Sequence, residues 1–352
     1  MPHAQRVQLA ENLRQNRSAV AETVTAEFFQ RHPDWLVRYG DRGRQRGLED
    51  AAYHVDFLAG AIETGAVAAF ENYARWTTNV LRSRGIAPSF VAENLRQVAL
   101  ACGQSLSETE RELITTYTEA ACTATAEVPP ATTTAAAPSR LAVGQSIFLQ
   151  AILKGPRQAA LNVALEALHE GHSAADIYVE ILQESLYEVG RRWEANQITV
   201  AEEHMATAIT QYVVAQMDSR LAPAGVARGK MIITGVEGEL HQVGANMVAD
   251  LLEADGWDVR FLGTNVPHAG ILSAIAEHHP TVLGISATMI FNVPKVRHLI
   301  NDVRHKFGDR APRIILGGSA FRAAPALSHE LGAAGAATDL RAARVLVNEL
   351  TA

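Results

Sequence analysis

Residues 230–248 read KMIITGVEGELHQVGANMV. The first six form a short apolar run that ends at Gly235, the pattern of a buried strand. A helix is expected to follow, and Glu239, His241 and Gly244 fall in the short loop between the two. The runs WDVRFLG, TVLGISA, RIILGG and GAAGAAT come later, separated by amphipathic stretches. Strands alternating with helices predict a parallel, doubly wound, Rossmann-like sheet. Such sheets bind ligands at the carboxyl ends of their strands. The loop that holds His241 lies at such an end.

Upstream of the sheet the pattern is helical. SIFLQAILKG, PRQAALNVALEALHEG, SAADIYVEILQESLYEVGRRWEAN and TVAEEHMATAITQYVVAQMDSRL predict a four-helix bundle over residues 140–225. Thr199 and Glu202 have the spacing of a capping box, so a helix is expected to start at Thr199. Residues 126–139 are rich in Ala, Thr and Pro and low in charge, which predicts a linker. Residues 1–125 read as five or six helices punctuated by Pro33, Gly40, Gly65, Gly85 and Pro88. A compact bundle and a globin-like fold both fit. The expected division is therefore 1–125, all helical; 126–139, linker; 140–225, helical cap; and 226–352, sheet domain.

The 352 residues are 48% apolar and 20% charged, enough for more than one buried core. A net charge of -7 argues against non-specific nucleic-acid binding and against an anionic membrane surface. The cysteines Cys102 and Cys122 are too few for a disulfide framework or a zinc cluster. The amphipathic, charged start lacks a signal-peptide core, and no run is long enough to span a bilayer. A soluble cytoplasmic protein is expected.

The pattern Glu239-x-His241-x-x-Gly244 suits a metal ligand. A neutral imidazole binds a transition metal through one nitrogen while the other donates to a carboxylate. By itself the pattern also fits an ordinary polar loop. Two further strand ends support the ligand reading: ISAT with Ser286 and Thr288, and ILGGS with Gly317 and Gly318. Small residues at successive strand ends leave a slot for a long, thin ligand tail.

With these residues in place, the chain resembles the cobalamin-binding domain family over residues 140–350. The resemblance implies that His241 is the lower axial ligand to cobalt, with Glu239 as its partner. It implies that the displaced nucleotide tail enters a slot at Gly244, Ser286, Thr288, Gly317 and Gly318. The methyl-transferring corrinoid proteins carry H-D-I-G-K-N, whereas Gln242 and Ala245 stand here for the Asp and Lys. Upstream, Trp193 and, after nine intervening residues, Glu203-His204 make a W-x9-EH pattern. That pattern resembles the cobalamin-dependent photoreceptors, in which Trp, Val and Glu cradle an adenosyl group. The matching residues are Trp193, Val200 and Glu203. Glu194 stands where a histidine takes over cobalt after light in such proteins, with His204 as a substitute.

A helix-turn-helix module is absent from the sequence. An all-helical segment ahead of the cap is instead similar to the photocobilins, which bind adenosylcobalamin and biliverdin. The resemblance implies a bilin site drawing on Tyr53, His54, Tyr73, Arg75 and Trp76, with Arg38, Arg42, Arg44 and Arg46 nearby. Cys102 and Cys122 are conceivable anchors or plain core cysteines. The expectation is a light sensor rather than an enzyme: a homo-oligomer with a light-dependent state. No output domain is expected, and signalling is expected to pass to a downstream partner. The alternative is a corrinoid methyl carrier of a methyltransferase system.

Overall fold

The computed structural model describes residues 1–104, 106–127, 141–218, 220–221, 228–323 and 326–351. They fall into two compact units, Met1–Thr132 and Thr133–Ala352. The expected linker lies outside the described residues except for 126 and 127. No helix among the described residues is long and apolar enough to cross a membrane.

In the second unit five parallel strands form one sheet: β1 Gly229–Gly235, β2 Trp257–Phe261, β3 Val282–Ser286, β4 Arg313–Gly317 and β5 Gly335–Ala337. Their order is β2-β1-β3-β4-β5. All five apolar runs expected from the sequence become these strands. Met231, Ile232 and Ile233 of β1 and Val282 and Leu283 of β3 are buried, as strands covered on both faces must be. Gly235 pairs with Ser286, Ser286 with Gly317, and Gly317 with Ala337. The register therefore sets four small residues in one row across the carboxyl ends of four strands. Side chains alternate along a strand, so the row shares one sheet face with Met231, Ile233, Gly284 and Ile315.

A helical cap precedes the sheet: α7 Ala142–Lys154, α8 Arg157–His169, a third helix, and α11 Val200–Asp218. The third runs from α9, Ala174–Asp176, through a π segment at Ile177–Gln183 into α10, Glu184–Glu194. Thr199 caps α11: its hydroxyl accepts from the Glu202 N–H at 3.2 Å, and its own N–H donates to the Glu202 carboxylate at 2.7 Å. The cap core holds Phe148, Ile152, Tyr178, Ile181 and Val213, and it continues into Met247, Leu251 and Leu340 of the sheet domain. Met247 and Leu251 belong to α12, Val243–Ala254, which joins β1 to β2; Leu340 opens α17, Leu340–Thr351. Polar ties reinforce this contact. The buried Tyr178 hydroxyl donates to Asp250 at 2.9 Å, worth about 1.5–3 kcal/mol for a charged acceptor. Arg341 of α17 reaches Asp176 and Glu180 of the cap. Within the sheet domain, Arg344 grips Asp255 with two nitrogens.

Four more helices complete the sheet domain: α13 His268–His278, α14 Val293–Phe307, α15 Ser319–Ala323 and α16 Ala326–Glu330. Among the described residues the first unit has six helices: α1 His3–Gln15, α2 Arg17–Arg31, α3 Pro33–Thr64, α4 Val67–Arg82, α5 Pro88–Gly103 and α6 Glu108–Ala126. Helix α3 breaks at Gly40, whose φ of 57° suits glycine. Ser107 and Glu110 form the capping box that starts α6.

Candidate functional site

The loop after β1 turns at Gly238, with φ 85°, and its N–H donates to Asn265 at 2.8 Å. Glu239 then points inward and its side chain is fully buried. One carboxylate oxygen takes the His241 backbone N–H at 3.0 Å and the His241 Nδ1 at 2.6 Å. The other takes the Thr288 N–H at 2.7 Å and the Asn292 side-chain amide at 3.2 Å. Burial raises the carboxyl's pKa. The hydrogen bonds from the His241 ring, the Thr288 N–H and the His241 N–H together outweigh it and hold the group at about 2. Glu239 is thus an anion fixed at both oxygens. Its hold on Nδ1 assigns the imidazole proton there and leaves the Nε2 lone pair free to bind a metal. The His241 side chain is 59% exposed, so that nitrogen is accessible.

Beside His241 a slot of about 220 Å³ opens between the sheet and helices α12 and α17. Met231, Ile233 and Ile315 give it apolar walls, and Ser286, Thr288 and Ser319 give it hydroxyls. Two glycines keep it open. A Cβ on Gly244 or Gly317 would meet nothing within 4 Å, so a side chain at either would occupy the slot. Gly318 is a glycine for another reason: φ is 101°, and a Cβ would lie 2.2 Å from the Ala287 carbonyl oxygen.

The structure brings His241, Gly244, Ser286, Thr288, Gly317 and Gly318 together around this slot, with Glu239 behind His241. Trp193, Val200, Glu203 and His204 do not line it. Trp193 lies near the end of α10; Val200 is exposed at the start of α11. Glu203 is tied locally, to His204 Nδ1 at 2.6 Å and to the Thr207 hydroxyl at 3.1 Å. The cap's contribution to the slot is Tyr187, which carries Arg322 over its ring at 5.4 Å. Asn292 and Tyr187 escaped sequence reasoning. Asn292 acts from a turn more than 50 residues beyond Glu239, and no spacing rule announces that contact.

In the first unit the five expected bilin residues do not share one cavity. Tyr73 stacks on Phe57 at 3.7 Å and lies 2.7 Å from His54 Nδ1 inside the core. Arg75 pairs with Glu71 and Glu127, and Tyr53 and Trp76 are exposed. A cleft of about 320 Å³ lies elsewhere in this unit, walled by Phe28, Phe29, Trp35, Tyr39 and Phe90, and it includes only His54 of the five. Arg42 and Arg46 line it, while Arg38 lies over the Tyr39 ring at 5.1 Å and Arg44 is exposed. Cys102 and Cys122 are buried, and burial pushes their thiols up to about 12 and about 11, which leaves no reactive thiolate at neutral pH.

Known proteins match the second unit. Two family models, each described as a B12 binding domain, match residues 147–217 and 229–344. The chain is 31% identical to dimethylamine corrinoid protein 3 of Methanosarcina mazei over 136 residues, 38% of this chain and 80% of that protein. It is 23% identical to a corrinoid protein of Desulfitobacterium hafniense over 173 residues, 48% of this chain and 80% of the relative. The solved monomethylamine corrinoid protein of Methanosarcina barkeri superposes with a TM-score of 0.53 at 22% identity, covering 59% of this chain and 99% of that one. At that identity the superposition speaks for the fold.

These matches overturn the expected light sensor. The relatives are corrinoid proteins, those of Methanosarcina being dimethylamine corrinoid proteins, not photoreceptors. The photocobilin resemblance goes with it, and so do light-dependent assembly and signalling. The geometry explains the error. By sequence, Gln242 and Ala245 point away from methyl transfer because they replace Asp and Lys. Yet the carboxylate on His241 is Glu239, two residues earlier, so Gln242 removes no support from the imidazole. Ala245 is simply part of the slot wall.

Proposed function

This chain belongs to the family of B12-binding corrinoid proteins, and on that premise we propose that it carries a methyl group on cobalamin for partner methyltransferases. The observation that carries the proposal is His241. Its Nδ1 is fixed on a buried carboxylate and its Nε2 is free, beside a slot kept open by Gly244 and Gly317. These residues fit a corrinoid whose own base has swung away from the metal. Held here by His241 and Glu239, cobalamin would supply the chemistry that accepts and releases a one-carbon group.

The chain's part is to hold and orient. His241 Nε2 would be the lower cobalt ligand, and Glu239 would set the ring's tautomer and angle. Ser286 and Gly317, with Thr288 and Gly318 beside them, would hold the nucleotide tail. Apolar walls shield the tail from water, and the Ser286 and Thr288 hydroxyls offer it hydrogen bonds. The names of the relatives favour methylated amines as donors, with the group passed by separate enzymes.

The test has two parts. Protein grown with ¹⁵N-histidine and loaded with cobalamin should show altered nitrogen splitting in the electron paramagnetic resonance of its Co(II) form, and His241→Ala should lose that splitting. Splitting indifferent to the label would remove His241 from cobalt. Loaded, reduced protein should then take up isotopic label from methylated amines only with a partner methyltransferase present. Failure with mono-, di- and trimethylamine and with methanol would overturn the carrier role and leave cobalamin binding standing.

A further inference from the structure

A second set of metal-binding groups lies where α13 and α14 meet. His268 is the first residue of α13; His298 and Asp302 are four apart on α14 and share one face of that helix. His268 Nε2 is 2.9 Å from Asp302 Oδ2, and His298 Nε2 is 3.5 Å from the same oxygen. The two imidazole rings lie 4.8 Å apart, centroid to centroid, tilted by 35°. One donor atom from each of the three lies within 4.8 Å of the others. None of the three lines the slot beside His241.

The spacing matches a coordination shell. A tetrahedral zinc-class ion holds nitrogen and oxygen donors at about 2.0–2.1 Å, which sets them about 3.3 Å from one another. The two measured separations bracket that value, so small side-chain rotations would seat an ion. The donor types narrow its identity. Two imidazoles and one carboxylate suit zinc, nickel, cobalt or copper, whereas magnesium and calcium prefer all-oxygen shells. His268 is half-buried at the start of α13, and His298 is exposed at 71%, which provides an entry path.

We propose that His268, His298 and Asp302 form a binding site for a divalent transition-metal ion of the zinc class, with water as the fourth ligand. The ion would clamp the start of α13 to the middle of α14. It would also anchor the strap that precedes His268, where Asn265 accepts from Gly238 and Val266 bridges to Val236. That strap supports the loop carrying Glu239 and His241. The site is separate from cobalt's and stands whether or not the carrier role does.

The full-length, cobalamin-loaded protein, stripped with chelator, is titrated with Zn²⁺ by calorimetry and by thermal unfolding. One ion should bind per chain, and saturating Zn²⁺ should raise the Tm, as any ligand of the folded state does. His298→Ala and Asp302→Asn should each weaken binding by at least about tenfold, the lower end of the loss when metal-site groups are removed. His241→Ala should leave Zn²⁺ binding unchanged, and a large excess of Mg²⁺ should not compete. His298 is exposed, so its alanine variant should keep the cobalamin spectrum and the metal-free Tm of the parent. No saturable binding to the parent, or equal binding to parent and His298→Ala, would overturn the proposal.

Discussion

The slot in the sheet-bearing unit and the cleft in the N-terminal unit are built by opposite means. The slot exists because side chains are small or missing: Ser286, Gly317 and Ala337 stand in register across three strand ends, and Gly244 faces open space. The cleft exists because side chains are large. Phe28, Trp35 and Phe90 pack edge-on at 4.7–5.9 Å between centroids and hold the helices apart. A cavity made by omission constrains each lining position to be small. A cavity made by bulk lets many apolar residues serve, so it leaves a weaker trace in sequence.

The two adjacent glycines of the slot give the sharpest way to break this account. Gly318→Ala forces a Cβ against the Ala287 carbonyl at a φ of 101°, so it should destabilise the chain by about 3 kcal/mol or more. Gly317→Leu adds atoms to open space, so the thermal midpoint should stay close to the parent's while cobalamin no longer binds. Thermal unfolding with cobalamin titration separates the two. If Gly317→Leu still binds cobalamin at parental affinity, the slot does not hold the tail.

The next largest effect is expected at Glu239. Glu239→Gln keeps the shape but weakens the hold on Nδ1 and can reverse the ring's tautomer. Cobalamin affinity should fall by about 10–100-fold, the usual cost of losing a carboxylate behind a metal-bound histidine. Glu239→Ala should cost more, because the Thr288 N–H and the Asn292 amide would also lose their acceptor. Equal affinities for the parent and the glutamine variant, measured by equilibrium absorption titration, would reduce Glu239 to a loop-folding residue.

Much of the slot was legible because its chemistry sits at fixed distances from strand ends. KMIITG, TVLGISA and RIILGG each announce a strand, and the residue after each apolar run is forced to a sheet edge where ligands bind. The register that aligns Ser286 with Gly317 was not legible, since pairing depends on tertiary packing and not on local pattern. Asn292 and Tyr187 were missed for the same reason: they reach the site across long stretches of chain. The photoreceptor expectation failed differently. It treats Gln242 and Ala245 as diagnostic, when the carboxylate behind His241 comes from Glu239 and Ala245 is a small, buried residue of the slot wall. In the N-terminal unit Tyr73 and Trp76 looked alike by sequence, yet one is core and the other surface. Helical spacing alone cannot separate them when aromatic residues occur on both faces.

The cleft makes the smallest prediction, and it concerns charge. Asp50 keeps exposed surface but lies in the cleft wall. Burial by the surrounding protein and then the Glu49 charge push its carboxyl up to about 6, against a lowering pull from Arg46. A carboxyl raised in the folded state holds its proton more tightly there than in the unfolded chain. Its stabilising contribution is therefore whole below the unfolded value of 3.8 and is lost as pH rises through about 6. His54, buried and lowered to about 4, has the opposite sign: its contribution is whole above 6.5 and is lost as pH falls through about 4. The two slopes oppose each other in the parent protein. Asp50→Asn removes only the first, and every other titration cancels when variant and parent are compared at the same pH. The variant should be the more stable at pH 7, by under about 1 kcal/mol given solvent screening. That advantage should shrink as pH falls through 6 toward 4 in parallel denaturant titrations. An advantage that stays constant over that range would show that the cleft does not perturb Asp50, and the cleft would then be no more than an open hollow between aromatic side chains.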